Sequence, residues 1–399
     1  MKEGWTYKKL GEVATFARGL TYSKKDEVDF SANVVLRSNN IDLSSGKLDF
    51  SELKYLEKGF DIPSDKRVKK GSLFICMSNG SKAHLGKVAY VDKDYNYAFG
   101  GFMGQITPNN EVDGLYLHYV LSSPVYKDYI KSLSEGANIN NLKFKDLSEF
   151  VIAYPSLSEQ HSIVARLDAA FAHIDALKAN AEKQLAEARQ LFQAELTECM
   201  RPKEGWDADT LIEVYNFIDY RGATPNKIQS GVPLVTAKNV KYGYIDYTIK
   251  DFISREEYET RKSRGVSKKG DILFTTEAPL GNVAIADLDE FSAGQRLITL
   301  QQYKKPKYTV VNEFYFYYML SSFFQNRVKE LATGATAQGI KAKLLKTVNV
   351  PIPPIEVQHQ IVSRLDALSA NIKKLEEMQR KTLAECDALK QAMLREVFE

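Results

Sequence analysis

Pro155-Ser-Leu-Ser-Glu-Gln-His-Ser-Ile-Val-Ala-Arg-Leu-Asp168 lies without a gap over Pro353-Pro-Ile-Glu-Val-Gln-His-Gln-Ile-Val-Ser-Arg-Leu-Asp366, with eight of 14 positions identical at an offset of 198. The offset persists outward: Leu147 falls on Leu345, Ile174 on Ile372, Leu191 on Leu389 and Leu196 on Leu394. Farther upstream the register slips by a few residues, as loops of unequal length make it do. Glu3-Gly4-Trp5 matches Glu204-Gly205-Trp206, and Lys70-Gly71 matches Lys269-Gly270. A period of about 200 residues is a duplicated domain, not a solenoid of short repeats.

Each copy has two parts. The first mixes short strand-like runs with helical stretches at Tyr116–Leu121 and Phe314–Leu331. Ser72-Leu-Phe-Ile-Cys-Met77 and Asp271-Ile-Leu-Phe-Thr-Thr276 each follow a Lys-Gly turn, which marks the start of a strand. The second part is one long helix, uninterrupted by Gly or Pro. In the first copy Ile163, Leu167, Ala170, Ile174 and Leu177 recur in steps of four and three; in the second, Ile361, Leu365, Leu368, Ile372 and Leu375 do the same. That spacing predicts a coiled-coil seam. Pro155 with Ser158, and Pro353-Pro354, supply the signals that start the helices.

The predicted fold is therefore α+β: two globular domains in pseudo-twofold arrangement, separated by two long helices forming an antiparallel coiled coil. The boundaries fall at 1–157 (domain 1), 158–202 (helix 1), 203–354 (domain 2) and 355–399 (helix 2). A helix of this length makes a rod of roughly 65 Å, a reach of up to about 19 base pairs of B-DNA. Because the two seams match in spacing and type, residues 1–202 alone are expected to pair with a second copy of themselves.

The chain has 399 residues, 44% hydrophobic and 26% charged, with a net charge of +3, and it is too long for one core. The positive excess sits in the two heads: residues 1–157 carry 21 Lys/Arg against 19 Asp/Glu, and residues 203–354 carry 21 against 17. No apolar run approaches the roughly 18–20 residues of a membrane span. Met1-Lys2-Glu3-Gly4-Trp5 has no apolar h-region, so a cytoplasmic location without membrane contact is expected. Cys76, Cys199 and Cys386 are too scattered for a zinc site and are read as idle thiols.

Motifs for catalysis are missing. No Asn-Pro-Pro-Tyr or Asp-Pro-Pro-Tyr run could hold a flipped adenine, and no Gly-x-Gly follows a strand. Gly80 and Gly86 enclose five residues where a phosphate loop has four, and Val88 stands where Ser or Thr would hold magnesium. Gln160-His161 and Gln358-His359 recur in both copies without a second ligand at helical spacing, so they are read as helix-start polar groups, not metal sites.

The order head, long helix, head, long helix resembles the specificity subunit of type I restriction–modification enzymes over essentially the whole chain. The junction Pro155-x-Leu157-x-x-Gln160-x-x-Ile163-Val164 and its partner from Pro353 to Val362 resemble that family's domain-to-helix joins. Gly270-Asp-Ile-Leu-Phe-Thr-Thr276 with Gly281-Asn-Val-Ala284 resembles its Gly-Asp-Ile-Leu-Phe strand and Gly-x-Val turn, and Gly71–Ile75 with Gly86–Ala89 is a degenerate copy. Pro233–Val240 and Val34–Ile41 resemble its strand-then-Asn element.

The resemblance implies a non-catalytic subunit that binds double-stranded DNA and reads a bipartite target, one half-site per head. It implies two copies of a methyltransferase subunit docked on the helices, and often nuclease subunits. No cofactor is expected on this chain; the methyltransferase would use S-adenosylmethionine, and the nuclease ATP and magnesium. A coiled-coil adaptor whose heads bind protein is the rival reading, and a nuclease with a scattered carboxylate site is a second.

Polar residues in loops are the ones suited to reading base edges in the major groove. In the first head these are Arg18, Arg37, Ser38, Asn39, Asn40, Ser78, Asn79, Ser81, Lys82 and His84. In the second they are Arg221, Thr236, Lys238, Asn239, Lys241, Thr275, Thr276, Gln295 and Arg296. Lys24-Lys25, Lys69-Lys70 and Lys268-Lys269 are candidates for phosphate, which positions a protein without specifying sequence.

Overall fold

The computed structural model describes residues 2–42, 45–81, 84–135, 141–334 and 338–399. It divides into two compact units, the first made of Met1–Ala181 with Arg380–Glu399 and the second of Glu182–Gln379. Each unit thus takes one head, the near half of one long helix and the far half of the other. The sequence boundaries separate head from helix. The packing does not, because each head buries apolar residues of both helices.

In the first unit an antiparallel sheet runs in the order 14–18, 103–108, 73–76, 88–90. A second sheet runs 27–28, 54–56, 33–36, 98–99, its last pair parallel. All four residues of Leu73-Phe-Ile-Cys76 are fully buried, because both faces of the strand are covered. Leu73 and Ile75 face a cluster with Tyr116, Leu117 and Val120 of the helix Gly114–Val120. Phe74 and Cys76 face the second sheet, against Val34, Leu36 and Phe99. The second unit repeats the plan, with sheets 215–219, 297–302, 272–275, 283–285 and 252–253, 232–235, 292–293. Gly71 and Gly270 both hold positive φ (82° and 90°), so the Lys-Gly turns need glycine.

The stretch 314–331, expected as one helix, is two: Asn312–Leu320 and Ser322–Leu331. Ser321 is extended between them, and its hydroxyl donates to the Tyr318 carbonyl at 2.6 Å, beside the Ser321 N–H that donates to the same oxygen at 3.0 Å. Ser123 does the same to Val120 at 2.7 Å in the first unit.

The long helices span Leu157–Met200 and Ile355–Phe398, 44 residues each. Ser156, not Ser158, accepts the Glu159 N–H at the first helix start. Gln160 and Gln358 are wholly buried clamps. The Gln160 side chain accepts from the Asp113 N–H at 2.8 Å and donates to the Glu111 and Pro155 carbonyls, each at 2.9 Å. Gln358 makes the same set to Val311 N–H and to the Thr309 and Pro353 carbonyls. Tyr119 donates to Asp168, and Tyr317 to Asp366 at 2.7 Å, two turns farther along.

Within the first unit the helices run antiparallel, since Asp175 meets Lys390 at 2.5 Å and Lys178 meets Asp387 at 2.9 Å. In the second, Arg189 meets Glu376 and Glu195 meets Arg364, each at 2.7 Å. The seam departs from the sequence reading. Positions sheltered from solvent run Gln160, Val164, Leu167, Phe171, Ile174, Lys178, Ala181, Leu185 and Ala188, in strict steps of four and three. The second helix repeats them 198 residues on, from Gln358 through Cys386.

Leu177 is 57% exposed and lies outside the seam, because its neighbour Lys178 takes the place, laying its aliphatic stem inward and its ammonium on Asp387. Ile163, Ile361, Leu167, Leu365 and Ile174 are buried, and Ala170, Leu368, Ile372 and Leu375 are partly buried. Choosing positions by apolarity favours Leu177 over Lys178, and spacing cannot decide between them, because both series advance in steps of four and three.

Candidate DNA interface

Three chain segments meet at one edge of the first unit. Strand 33–36 ends at Arg37, strand 73–76 ends just before Ser78, and Gly100-Gly101-Phe102 leads into strand 103–108. The Phe102 carbonyl accepts from the Met77 and Ser78 N–H groups at 3.0 and 3.1 Å. Asn79 donates to the Ser38 hydroxyl at 3.0 Å and accepts the Ser81 N–H at 2.9 Å, so the loops after the two strands are tied to each other. Arg18 is opposite Gly104 in register and exposed. A Cβ at Gly19 would stand 2.0 Å from the Gly100 carbonyl, so only glycine lets these segments approach.

This brings together Arg18, Arg37, Ser38, Asn39, Ser78, Asn79 and Ser81. His84 follows in the same loop, with burial and nearby Lys87 pushing its imidazole toward the neutral form. Two buried nitrogens, Arg37 Nε and His84 Nδ1, have no hydrogen-bond partner among the described residues. Lys82 lies outside the described residues.

The second unit builds the same edge. Thr236 and Lys238 follow strand 232–235, and the Thr276 N–H donates to the Arg296 carbonyl at 3.0 Å. Arg296 pairs with Glu277 at 3.1 Å, and Gln295 accepts from the Thr224 hydroxyl at 3.1 Å. Arg221 forks onto Asp219, the closest contact being 2.6 Å, and this pair holds the Arg221 guanidinium more firmly charged. Beneath them Arg261 is buried, stacked 4.5 Å from the Tyr220 ring and bonded to the Ala223 and Ala293 carbonyls and the Ser292 hydroxyl. It braces the edge from inside. Lys241 faces Asp246 at 4.0 Å, on the loop that carries exposed Tyr242, Tyr244 and Tyr247.

Four sequence candidates are interior and are withdrawn as readers of bases. Asn40 is 1% exposed: its side chain accepts the Arg37 N–H and donates to the Asp49 and Glu52 carbonyls, all at 2.8 Å. Asn239 is its copy, accepting from Thr236 N–H and donating to the Asp246 and Ile249 carbonyls. Each asparagine closes its own loop through backbone groups, which is why a short side chain with both donor and acceptor stands there. Thr275 and Thr276 are buried, with hydroxyls spent on the Asn282 N–H and the Arg296 carbonyl.

The lysine pairs 69–70 and 268–269 sit at the far end of the central strands from these loops. Phe102 was not singled out by sequence. It is 74% exposed at the centre of the first edge, at the place Arg296 holds in the second. Its one signal is a large apolar residue after two glycines.

Both heads match the type I restriction modification DNA specificity domain, at residues 2–187 and 203–385, and the chain belongs to that family. It is 27% identical to the EcoKI specificity subunit of Escherichia coli K12 over all of this chain and 89% of that one. It is 33% identical to the StySPI specificity subunit of Salmonella potsdam over 46% of this chain and 40% of the relative. Among solved structures, a chain from work on assembly and conformational transition of the type I R-M system superposes with a TM-score of 0.75, at 22% identity, covering 100% of this chain and 98% of that one. The HsdS subunit of Thermoanaerobacter tengcongensis gives 0.58, at 21% identity, covering 100% and 97%. The protein is a non-catalytic DNA target-recognition subunit, and the adaptor reading is not favoured. Among the described residues no helix is long and apolar enough to cross a membrane.

Proposed function

We propose that each unit lays its loop edge in the major groove and reads one half of a bipartite target. The first edge would use Arg18, Arg37, Ser38, Asn39, Ser78, Asn79, Ser81 and His84, with Phe102 against a thymine methyl or base step. The second would use Arg221, Thr236, Lys238, Lys241, Gln295 and Arg296. One observation carries the reading: in both units the chain brings separate polar loops to one edge and fixes them there by hydrogen bonds. Arg221 and Arg296 are held by the carboxylates of Asp219 and Glu277, so their guanidinium groups are oriented before DNA arrives.

The chain would direct two copies of an adenine-N6 methyltransferase subunit that uses S-adenosylmethionine, and nuclease subunits that use ATP and magnesium, in the cytoplasm. Exposed Leu177, Leu191, Met378 and Leu389 on the long helices support a docked protein there. The test is DNA binding by the assembled methyltransferase complex. Arg296→Ala should cost roughly 1–3 kcal/mol on the native target and relax one base of one half-site. An unchanged base preference would remove Arg296 from the reading surface.

A further inference from the structure

Repeat-equivalent positions carry opposite charges where the long helices meet. In the first unit Lys178 donates to Asp387; in the second Arg189 donates to Glu376. The offset of 198 carries Lys178 onto Glu376 and Arg189 onto Asp387, so the same two positions form both pairs with the sign reversed. In each pair the seam residue is the more sheltered, Lys178 at 20% exposure against 61% for Asp387, and Glu376 at 40% against 60% for Arg189. The apolar seam differs between the helices at Phe171 and Ala181, which become Ser369 and Gln379, and is otherwise nearly the same. Val164, Leu167 and Ile174 recur unchanged as Val362, Leu365 and Ile372.

We propose that this reversal is a pairing code that joins a first-half helix to a second-half helix and rejects either helix paired with its own copy. Laid on a second copy in the same register, the first helix sets Lys178 against Arg189 twice. It regains two attractive contacts, Arg166 with Glu195, because Arg166 stands where Arg364 does. The second helix on its own copy sets Glu376 against Asp387 and Lys373 against Lys390, each twice. It regains nothing, because Met393 stands where Glu195 does. The order of pairing is heterologous, then first-half with itself, then second-half with itself. The partner this surface fits is the other half of this chain, in the same molecule or in another. The halves are therefore not interchangeable, contrary to what seam spacing alone suggests.

The test uses the full chain with a protease site at the exposed join Arg201-Pro202-Lys203, cut after folding. An isotopically heavy and a light preparation are mixed, loosened in urea, returned to buffer and weighed by native mass spectrometry. Heavy–light complexes of one first half with one second half are expected to predominate, with first-half homodimers a small minority. Homodimers in the proportions of random pairing would overturn the proposal. Arg189→Asp in the cut chain places a carboxylate opposite Lys178 of a second copy, and first-half homodimers should rise about tenfold. An unchanged share counts against the code. The uncut chain gives an independent reading: Glu376→Lys should lower the thermal midpoint, and adding Arg189→Glu should restore it. No restoration would show that the charges do not select partners.

Discussion

Asn79 donates its side-chain amide to the Ser38 hydroxyl at 3.0 Å, joining loops that follow different strands of different sheets. The bond sets the spacing of two groups of polar side chains at the edge proposed to face DNA. Asn79→Ala should leave the thermal midpoint nearly unchanged, since both partners can turn to water. Target affinity should fall roughly tenfold as the loops separate. Loss of binding to the first half-site, with the second unaffected, is the expected pattern in methylation assays.

Asn239→Ala should act in the opposite sense, on stability rather than on reading. It strips partners from the Thr236 N–H and the Asp246 and Ile249 carbonyls inside the loop. A loss of about 2–3 kcal/mol in chemical denaturation is expected. Wild-type stability combined with altered base preference would return Asn239 to the reading surface.

The two clamp glutamines make a matched pair. Gln160→Leu should loosen the first head from its helix and Gln358→Leu the second, each costing about 2–3 kcal/mol, because three backbone groups lose their partner. Hydrogen exchange would show the loss confined to the unit that carries the change.

How much of this was legible in the sequence depends on the length scale. The duplication, both long helices, the Lys-Gly strand starts and the structural part played by Gln160 and Gln358 are written in local patterns that survive without tertiary context. The seam register is not, because Lys178 and Leu177 compete for one place and only pairing with Asp387 decides it. Nor is the burial of Asn40 and Asn239: an asparagine after a strand looks the same whether its amide faces water or the carbonyls of its own loop. Phe102 carries no polar signature, and its exposure is set by tertiary packing that no local pattern announces.

Burial pushes the His118 imidazole down to about 4, with Asp168 only partly offsetting it, and its buried Nδ1 has no partner among the described residues. The folded state therefore binds this proton less readily than the unfolded chain does. The sign follows: stability from neutral His118 is complete above the unfolded value near 6.5 and is lost as pH falls toward 4. His118→Phe, the residue found at the equivalent Phe316, should flatten the drop in thermal midpoint between about pH 7 and pH 4.5. A pH profile parallel to wild type would show that His118 is not the titrating group.

Lys2 donates to the Glu396 carbonyl at 3.3 Å, and Phe398 meets Tyr116 edge-on at 5.5 Å, so both described chain ends pack on the first head. A permutant opening at Lys203, with a short linker from Glu399 to Met1, should fold and keep its target. Failure to fold with linkers of several lengths would show that the break at residues 201–203 is not tolerated.

The central claim is that two heads read two half-sites independently. Its most direct test is mapping of methylated adenines in cells that carry the methyltransferase partner and a chain whose residues 203–354 are replaced by the second head of another family member. One half-site should change completely while the other, with its methylated adenine, stays as it was. A map in which both half-sites change, or neither does, would contradict the account.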